Sequence, residues 1–229
     1  SPAAPIAPGS PPTCLVAGQK FGRYSIKRFI AAGGMGEVYE AWDDALGRRV
    51  AIKILAAAAT TSRSRRFFDE AGLMARLEHP GIARLYEWST AEHAGASTPF
   101  IAMEYIDGQA IAQAARELPD AKARAALCMQ VCEAVAYAHS RGVIHRDLKP
   151  ANVLVDNSGQ THVLDFGIGS LLDPTARSNL SNSEGAPRPG TLAYMSPEQL
   201  RGDADSISTQ SDVYSLGLML YEILAGAPA

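Results

Sequence analysis

His145-Arg146-Asp147-Leu148-Lys149-Pro150-Ala151-Asn152, followed a short way on by Asp165-Phe166-Gly167, is the stretch that decides the fold. It gathers a candidate base (Asp147), a cation (Lys149) and two metal-seeking oxygen donors (Asn152 and Asp165). That set suits movement of a phosphoryl group, where catalysis consists of positioning and of neutralising charge. Between the two runs, residues 153–155 and 162–164 read as short strands about a turn at Asn157-Ser158-Gly159. Asn152 and Asp165 then stand at neighbouring strand ends, where one metal ion can bridge them.

Working outward towards the N-terminus, residues 24–55 alternate short β-prone runs with turn residues, and the pattern predicts three antiparallel strands over 24–30, 38–42 and 50–55. Ile30-Ala31-Ala32-Gly33-Gly34-Met35-Gly36-Glu37-Val38-Tyr39 lies between the first two. A backbone without side chains there can approach a polyphosphate and donate N–H groups to it, although glycines at a hairpin need no ligand. Lys53 interrupts the apolar run Val50-Ala51-Ile52, and a buried ammonium requires an anionic partner. Phe67, Ala71, Met74, Ala75 and Leu77 recur at helical spacing and predict an amphipathic helix over 62–77, stopped by His79-Pro80-Gly81. Strands over 83–88 and 100–105 complete a small lobe of five strands and one helix.

Working outward in the other direction, the chain turns Ala-rich after Asp107-Gly108. Leu127, Val131, Ala134, Val135 and Ala138 trace the inner stripe of a long helix that ends near Arg141-Gly142. Residues 169–189 read as a long polar loop, of the kind that is functional or mobile. A last helix over 211–225 sets Val213, Leu216, Leu220, Ile223 and Leu224 on one face, with Gly226 as its stop.

The 229 residues, 47% hydrophobic, suffice for a substantial core. With 24 acidic and 21 basic residues and a net charge of −3, the chain has no electrostatic footprint for nucleic acid or an anionic membrane. Cys14, Cys128 and Cys132 lack C-x-x-C spacing, which argues against a disulfide framework or a zinc site; Cys128 and Cys132 read as packing, and a reducing cytoplasm fits best. No apolar run is long enough to span a bilayer. Residues 1–20 read as a flexible Pro/Ala-rich leader without the marks of a signal peptide.

These motifs, in this order, resemble those of the protein kinases, and the wording of Gly33-Gly34-Met35-Gly36 and Met195-Ser196-Pro197-Glu198-Gln199 is similar to bacterial serine/threonine kinases of the eukaryotic type. The resemblance implies an α+β, two-lobed protein kinase fold: a small antiparallel five-stranded lobe with one helix over 21–104, a hinge at 104–108, and a mainly helical lobe over 109–229. It implies ATP and Mg²⁺, or Mn²⁺ in its place, as cofactors, and protein Ser/Thr hydroxyls as acceptors. Asp147 would orient and deprotonate the acceptor, Lys149 would neutralise the transferring group, and Asn152 and Asp165 would hold metal. Lys53 would pair with Glu70 and with the nucleotide phosphates.

By the same resemblance, Ile30, Gly33, Gly34, Gly36, Val38, Ala51, Met103 and Leu154 would enclose the nucleotide, with Glu104 and Ile106 meeting the adenine edge through their backbone. Ala31 stands where the family usually has the first glycine of its loop. His145 is assigned to structure, in an apolar column with Phe166, Met74 and Leu85, and Asp212 to holding the backbone of the catalytic loop. Residues 165–198 resemble an activation segment, in which Arg146 can hold a phosphorylated Thr175, Ser178, Ser181 or Ser183. Thr191 with Lys149 fits Ser/Thr-directed members. Self-association through autophosphorylation in trans is a further implication. Relatives continue past the helix at Asp212, so the expectation is a truncated domain that lacks its last helices, leaves apolar surface uncovered, and allows a parent chain anchored to a membrane beyond Ala229. The alternative is a pseudokinase-like ATP-binding or scaffolding module with little turnover.

Overall fold

The computed structural model describes residues 15–33, 36–55, 76–93, 95–166 and 192–226. The first layer is a six-stranded sheet in the order β1-β2-β3-β4-β6-β5, every neighbour antiparallel: β1 Lys20–Phe21, β2 Tyr24–Gly33, β3 Gly36–Asp43, β4 Arg48–Leu55, β5 Leu85–His93 and β6 Ala96–Glu104. β4 shows why the sheet forms. Its alternate residues Val50, Ile52 and Ile54 pack with Phe21, Tyr24, Ile26, Tyr39, Phe100 and Ala102 on one face. Ala51 and Leu55 pack with Ile101 and Met103 on the other, so the period of two feeds two apolar layers from one strand.

The five strands expected in this lobe are all present, and the sheet gains a sixth. β1 has two residues, too short to show a period, and pairs Phe21 with Tyr24. The flexible leader expected over 1–20 is corrected at its end: Leu15 is 1% exposed in the sheet's core, and its N–H donates to the Tyr39 hydroxyl at 3.2 Å. The helix expected over 62–77 lies almost wholly outside the described residues, as does the polar segment over 169–189.

A second, three-stranded sheet follows: β7 Gly108–Ala110, β8 Val153–Asp156 and β9 Thr161–Val163, in the order β7-β8-β9. The β8–β9 hairpin matches expectation, and β7 is an addition. The helices are α1 Ile111–Arg116, α2 Ala121–Ser140, α3 Pro197–Leu200 and α4 Thr209–Ala225. Asp120 caps α2, accepting the Ala123 N–H at 2.8 Å. The inner stripe of α2, with Leu127, Val131, Ala134, Val135 and Ala138 buried, packs with Val153, Val163, Leu148, Met219 and Ile223 into the core of the larger lobe. No helix among the described residues is long and apolar enough to cross a membrane.

Two expectations about side-chain placement change. On α4 the buried residues are Ser211, Asp212, Ser215, Met219 and Ile223, whereas Val213, Leu220 and Leu224 are exposed. The helix is apolar nearly all round, so its hydrophobic period does not select a face, and polar residues are drawn inward by hydrogen bonds. Of the two cysteines on α2, Cys128 is buried, its thiol pushed up to about 11 by burial, while Cys132 is exposed.

Candidate active site

The loop that carries Asp147 is aimed by the end of α2. Gly142 has φ 76 and donates to His139 O at 2.9 Å, while Val143 donates to Ala138 O at 3.0 Å. These two bonds form a Schellman motif, which needs a left-handed residue at its turn, hence glycine after Arg141. The buried Val143 then starts the chain back across the lobe. Asp212, 1% exposed at the start of α4, receives it: Oδ2 accepts the N–H of His145 and Oδ1 that of Arg146, both at 2.8 Å. Nε2 of His139 lies 2.7 Å from the same Oδ2.

His145 is fixed in one neutral tautomer. Its Nδ1 accepts the backbone N–H of Asp147 at 3.2 Å, so the ring proton sits on Nε2, which lies 2.8 Å from Leu164 O. Burial holds its pKa below the ordinary histidine value, against the opposing charge of Asp212 and Asp147. The ring meets Phe166 at 4.7 Å between centroids, tilted by 53°. Phe166 belongs to the core of the larger lobe. Of the other members expected in this column, Leu85 packs with the small-lobe group of Ala51, Leu55, Ile101 and Met103, and Met74 lies outside the described residues.

Hydrogen bonds, ion pairs and one step along the backbone connect the charged residues. Lys149 Nζ lies 2.8 Å from Asp147 Oδ2. Asn152 Nδ2 donates to Asp147 O at 2.7 Å and to Oδ2 at 3.2 Å. Leu164 N donates to Asn152 O at 2.8 Å, which sets Asn152 beside the next residue, Asp165. Asp165 Oδ2 is 2.6 Å from Lys53 Nζ. Lys53 is 5% exposed on β4, an interior strand, which excludes a solvated edge position for it. Arg146 and Asp165 are the non-glycine residues of positive φ among the described residues, at 68° and 56°. Both adjoin this line, and such backbone persists only where its surroundings over-determine it.

The other residues expected around a nucleotide lie as follows. Ala51 and Met103 are paired across β4 and β6 and share one apolar group with Val38. Ile30 is 41% exposed on β2. Gly33 pairs with Gly36 across the glycine turn. Tyr105, Ile106 and Asp107 connect β6 to β7, and the Glu104 N–H donates to Arg84 O at 2.8 Å. Leu154 is on β8, half-buried and paired with His162. Gly34 and Glu70 lie outside the described residues.

One buried contact at the site escaped the sequence reading. Gln199, 3% exposed, donates from Nε2 to Arg146 O at 2.6 Å and accepts the Ser196 N–H on Oε1 at 3.0 Å. The signal for it was the Ser-x-x-Gln spacing of a capping box at the start of α3.

Comparison with known proteins identifies the family. The family model described as "Protein kinase domain" matches residues 24–229. Over 210 residues the chain is 41% identical to the serine/threonine-protein kinase PknB of Mycobacterium tuberculosis, a match covering 90% of this chain and 33% of that protein. It is 38% identical over 213 residues to the probable serine/threonine-protein kinase SCO3848 of Streptomyces coelicolor, covering 90% and 31%. The chain spans about a third of the length of these curated relatives. The crystal structure of the M. tuberculosis PknI kinase domain is similar at a TM-score of 0.68 and 31% identity, covering 93% of this chain and 77% of that one. On its motifs, its fold and these matches, the chain belongs to the protein kinase domain family.

Proposed function

We propose that this chain transfers the γ-phosphoryl group of ATP to Ser and Thr hydroxyls of proteins, with Mg²⁺ as the metal. The observation that carries the reading is the connection from Lys53 through Asp165, Asn152 and Asp147 to Lys149. It brings two cations, two carboxylates and an amide into one chain of neighbours. In the transfer, the acceptor oxygen bonds to the γ-phosphorus as the bond to the β-phosphate oxygen breaks, ADP leaves, and the acceptor proton passes to Asp147. The transition state is loose, so the orientation of Asp147 counts for more than its basicity. Lys149, in contact with that carboxylate, sits where charge on the transferring group needs a counter-charge.

The donors fit the metal. Asn152 spends its amide nitrogen on Asp147, which leaves its oxygen for a cation, and Asp165 adds carboxylate oxygens. Two hard oxygen ligands suit Mg²⁺, which keeps waters and takes its remaining ligands from phosphates. When bound, the ion would supply neutralisation of charge on the phosphate oxygens. Lys53, bonded to Asp165, is placed to reach the α- and β-phosphates, and Glu70 is its second partner in this reading. Ile30, Gly33, Gly34, Gly36, Val38, Ala51, Met103 and Leu154 enclose the nucleotide. Glu104, whose N–H is already used, offers its carbonyl to the adenine edge, and Ile106 its N–H.

Ser/Thr specificity is supported by the names of the similar kinases and by Lys149 with Thr191. Phosphorylation among Thr175, Ser178, Ser181 and Ser183, with Arg146 as the receiving guanidinium, is the regulatory part of the proposal. Transfer of labelled γ-phosphate from ATP to a Ser/Thr-containing protein tests the core of it. An Asp147→Asn copy offered as substrate tests transfer between copies. Wild type that leaves acceptor proteins unlabelled while still binding nucleotide would favour the scaffolding alternative.

A further inference from the structure

The end of the activation segment and the catalytic loop meet at one buried side chain. Gln199 Nε2 donates to the carbonyl of Arg146 at 2.6 Å, and Oε1 is pinned by the Ser196 N–H at 3.0 Å and the Ser196 hydroxyl at 3.2 Å. Ser196 is 0% exposed. That carbonyl belongs to the peptide joining Arg146 to Asp147. The N–H of the same peptide is held from the other side by His145 Nδ1 at 3.2 Å. The Arg146 N–H, one peptide earlier, is held by Asp212. Arg146 itself has φ 68, a conformation that a side-chain-bearing residue keeps only under constraint.

We propose that Gln199 is a positioning residue for phosphoryl transfer: its amide N–H fixes the plane of the Arg146–Asp147 peptide and with it the direction in which the Asp147 side chain leaves the backbone. The placement of the segment at 196–199 thereby sets the catalytic aspartate. The requirement is for a donor. A carbonyl oxygen facing a carboxylate or a thioether has nothing to accept, and the peptide is then free to rotate towards a more relaxed Arg146.

The inference rests on the kinase reading, and the experiment separates the two. Steady-state transfer by wild type, Gln199→Met and Gln199→Glu is measured on the full chain, together with nucleotide affinity and melting temperature. Gln199→Met, close in volume but no donor, is expected to lower kcat roughly ten- to a hundredfold, in line with the sensitivity of transfer to small misplacements, and to leave KM for ATP unchanged. Gln199→Glu gives the signature that a space-filling role would not. Its protonated carboxyl can donate to Arg146 O and its ionised form cannot, so the ratio of its kcat to that of wild type is expected to rise from about pH 8 to about pH 6, the range into which burial moves a carboxyl. Among the described residues, His145, Arg146, Asp147 and Asp212 are the ionisable groups at the peptide that Gln199 holds, and Glu198 and Arg201 those beside it in sequence; wild type carries them all, so the ratio to wild type discounts their own titration. A folded Gln199→Met with wild-type kcat, or a pH-independent ratio for Gln199→Glu, overturns the inference. If Gln199→Met does not fold, the Gln199→Glu profile decides. Wild type without transfer overturns the proposed function instead.

Discussion

The carbonyl oxygen of Ile54 lies 1.8 Å from where a Cβ on Gly36 would stand. Gly36 has φ 131 and pairs with Leu55, so the backbone of β3 presses directly on that of β4, one residue from Lys53. This glycine is therefore required by strand packing, before any ligand is considered. Gly33, its partner across the turn, has open space around its Cα. Gly36→Ala is expected to cost more than about 2 kcal/mol, from backbone clash and strain combined, and Gly33→Ala less than about 1 kcal/mol. Denaturant midpoints for the two variants, measured side by side, check this. Equal values would remove the packing explanation.

Asp147 is held by Lys149 and Asn152 without being deeply buried, so its amide replacement leaves the fold intact. Asp147→Asn is expected to lower kcat by about 10² to 10⁴ while nucleotide affinity stays as in wild type. Radiolabel transfer and nucleotide titration, on the same preparation, give both quantities.

Asp212 accepts the N–H of the buried His145 and that of the half-buried Arg146, so Asp212→Ala takes one main-chain acceptor from each. Each such loss costs about 1–3 kcal/mol. At about 2–4 °C per kcal/mol for a chain of this size, the melting temperature should fall by several degrees at least. A change smaller than a degree would mean that water or another group replaces the carboxylate.

His145 links stability to pH. Its pKa in the fold is depressed by burial, so the unfolded chain takes up this proton first as pH falls below about 6.5. Stability from this residue is complete above that pH and declines below it. Replacement by Phe should give a less stable protein whose stability is flatter between about pH 6.5 and pH 5. Asp156 acts in a different window. Its carboxylate is held well below the usual range by bonds from Ser158, His162 and Gln160, so its contribution is present above about pH 4 and is lost only in stronger acid. Urea midpoints of wild type and His145→Phe across this range measure the difference.

The parts of the fold legible in the sequence are those with a clear period or a turn residue. β4 could be read because its alternation feeds two apolar layers, and the end of α2 because Arg141-Gly142 supplies the left-handed turn. The cluster of Asp147, Lys149, Asn152 and Asp165 could be read because it spans one loop and one hairpin. What escaped was written in single residues. Leu15 is an isolated anchor beside a Pro/Ala-rich stretch, and β1 and β7 are too short to display a pattern. The inward face of α4 was misjudged because its buried residues include Ser211, Asp212 and Ser215, chosen for hydrogen bonds that a hydrophobic period cannot reveal. The Ser196-x-x-Gln199 spacing of a capping box is local, but that the Gln199 amide reaches Arg146, far back in the sequence, is a property of the tertiary structure alone.

The carboxylate that holds His145 is supplied 67 residues later in the chain. A ribosome that has just delivered the catalytic loop must keep translating for on the order of several seconds before Asp212 exists, at synthesis rates of roughly 5–20 residues per second. Until then those two N–H groups have no α4 to receive them. The order in which the polypeptide is made thus acts as a timer: the loop at His145 and Arg146 is spelled out early and gains its support from Asp212 only once that residue has been synthesised.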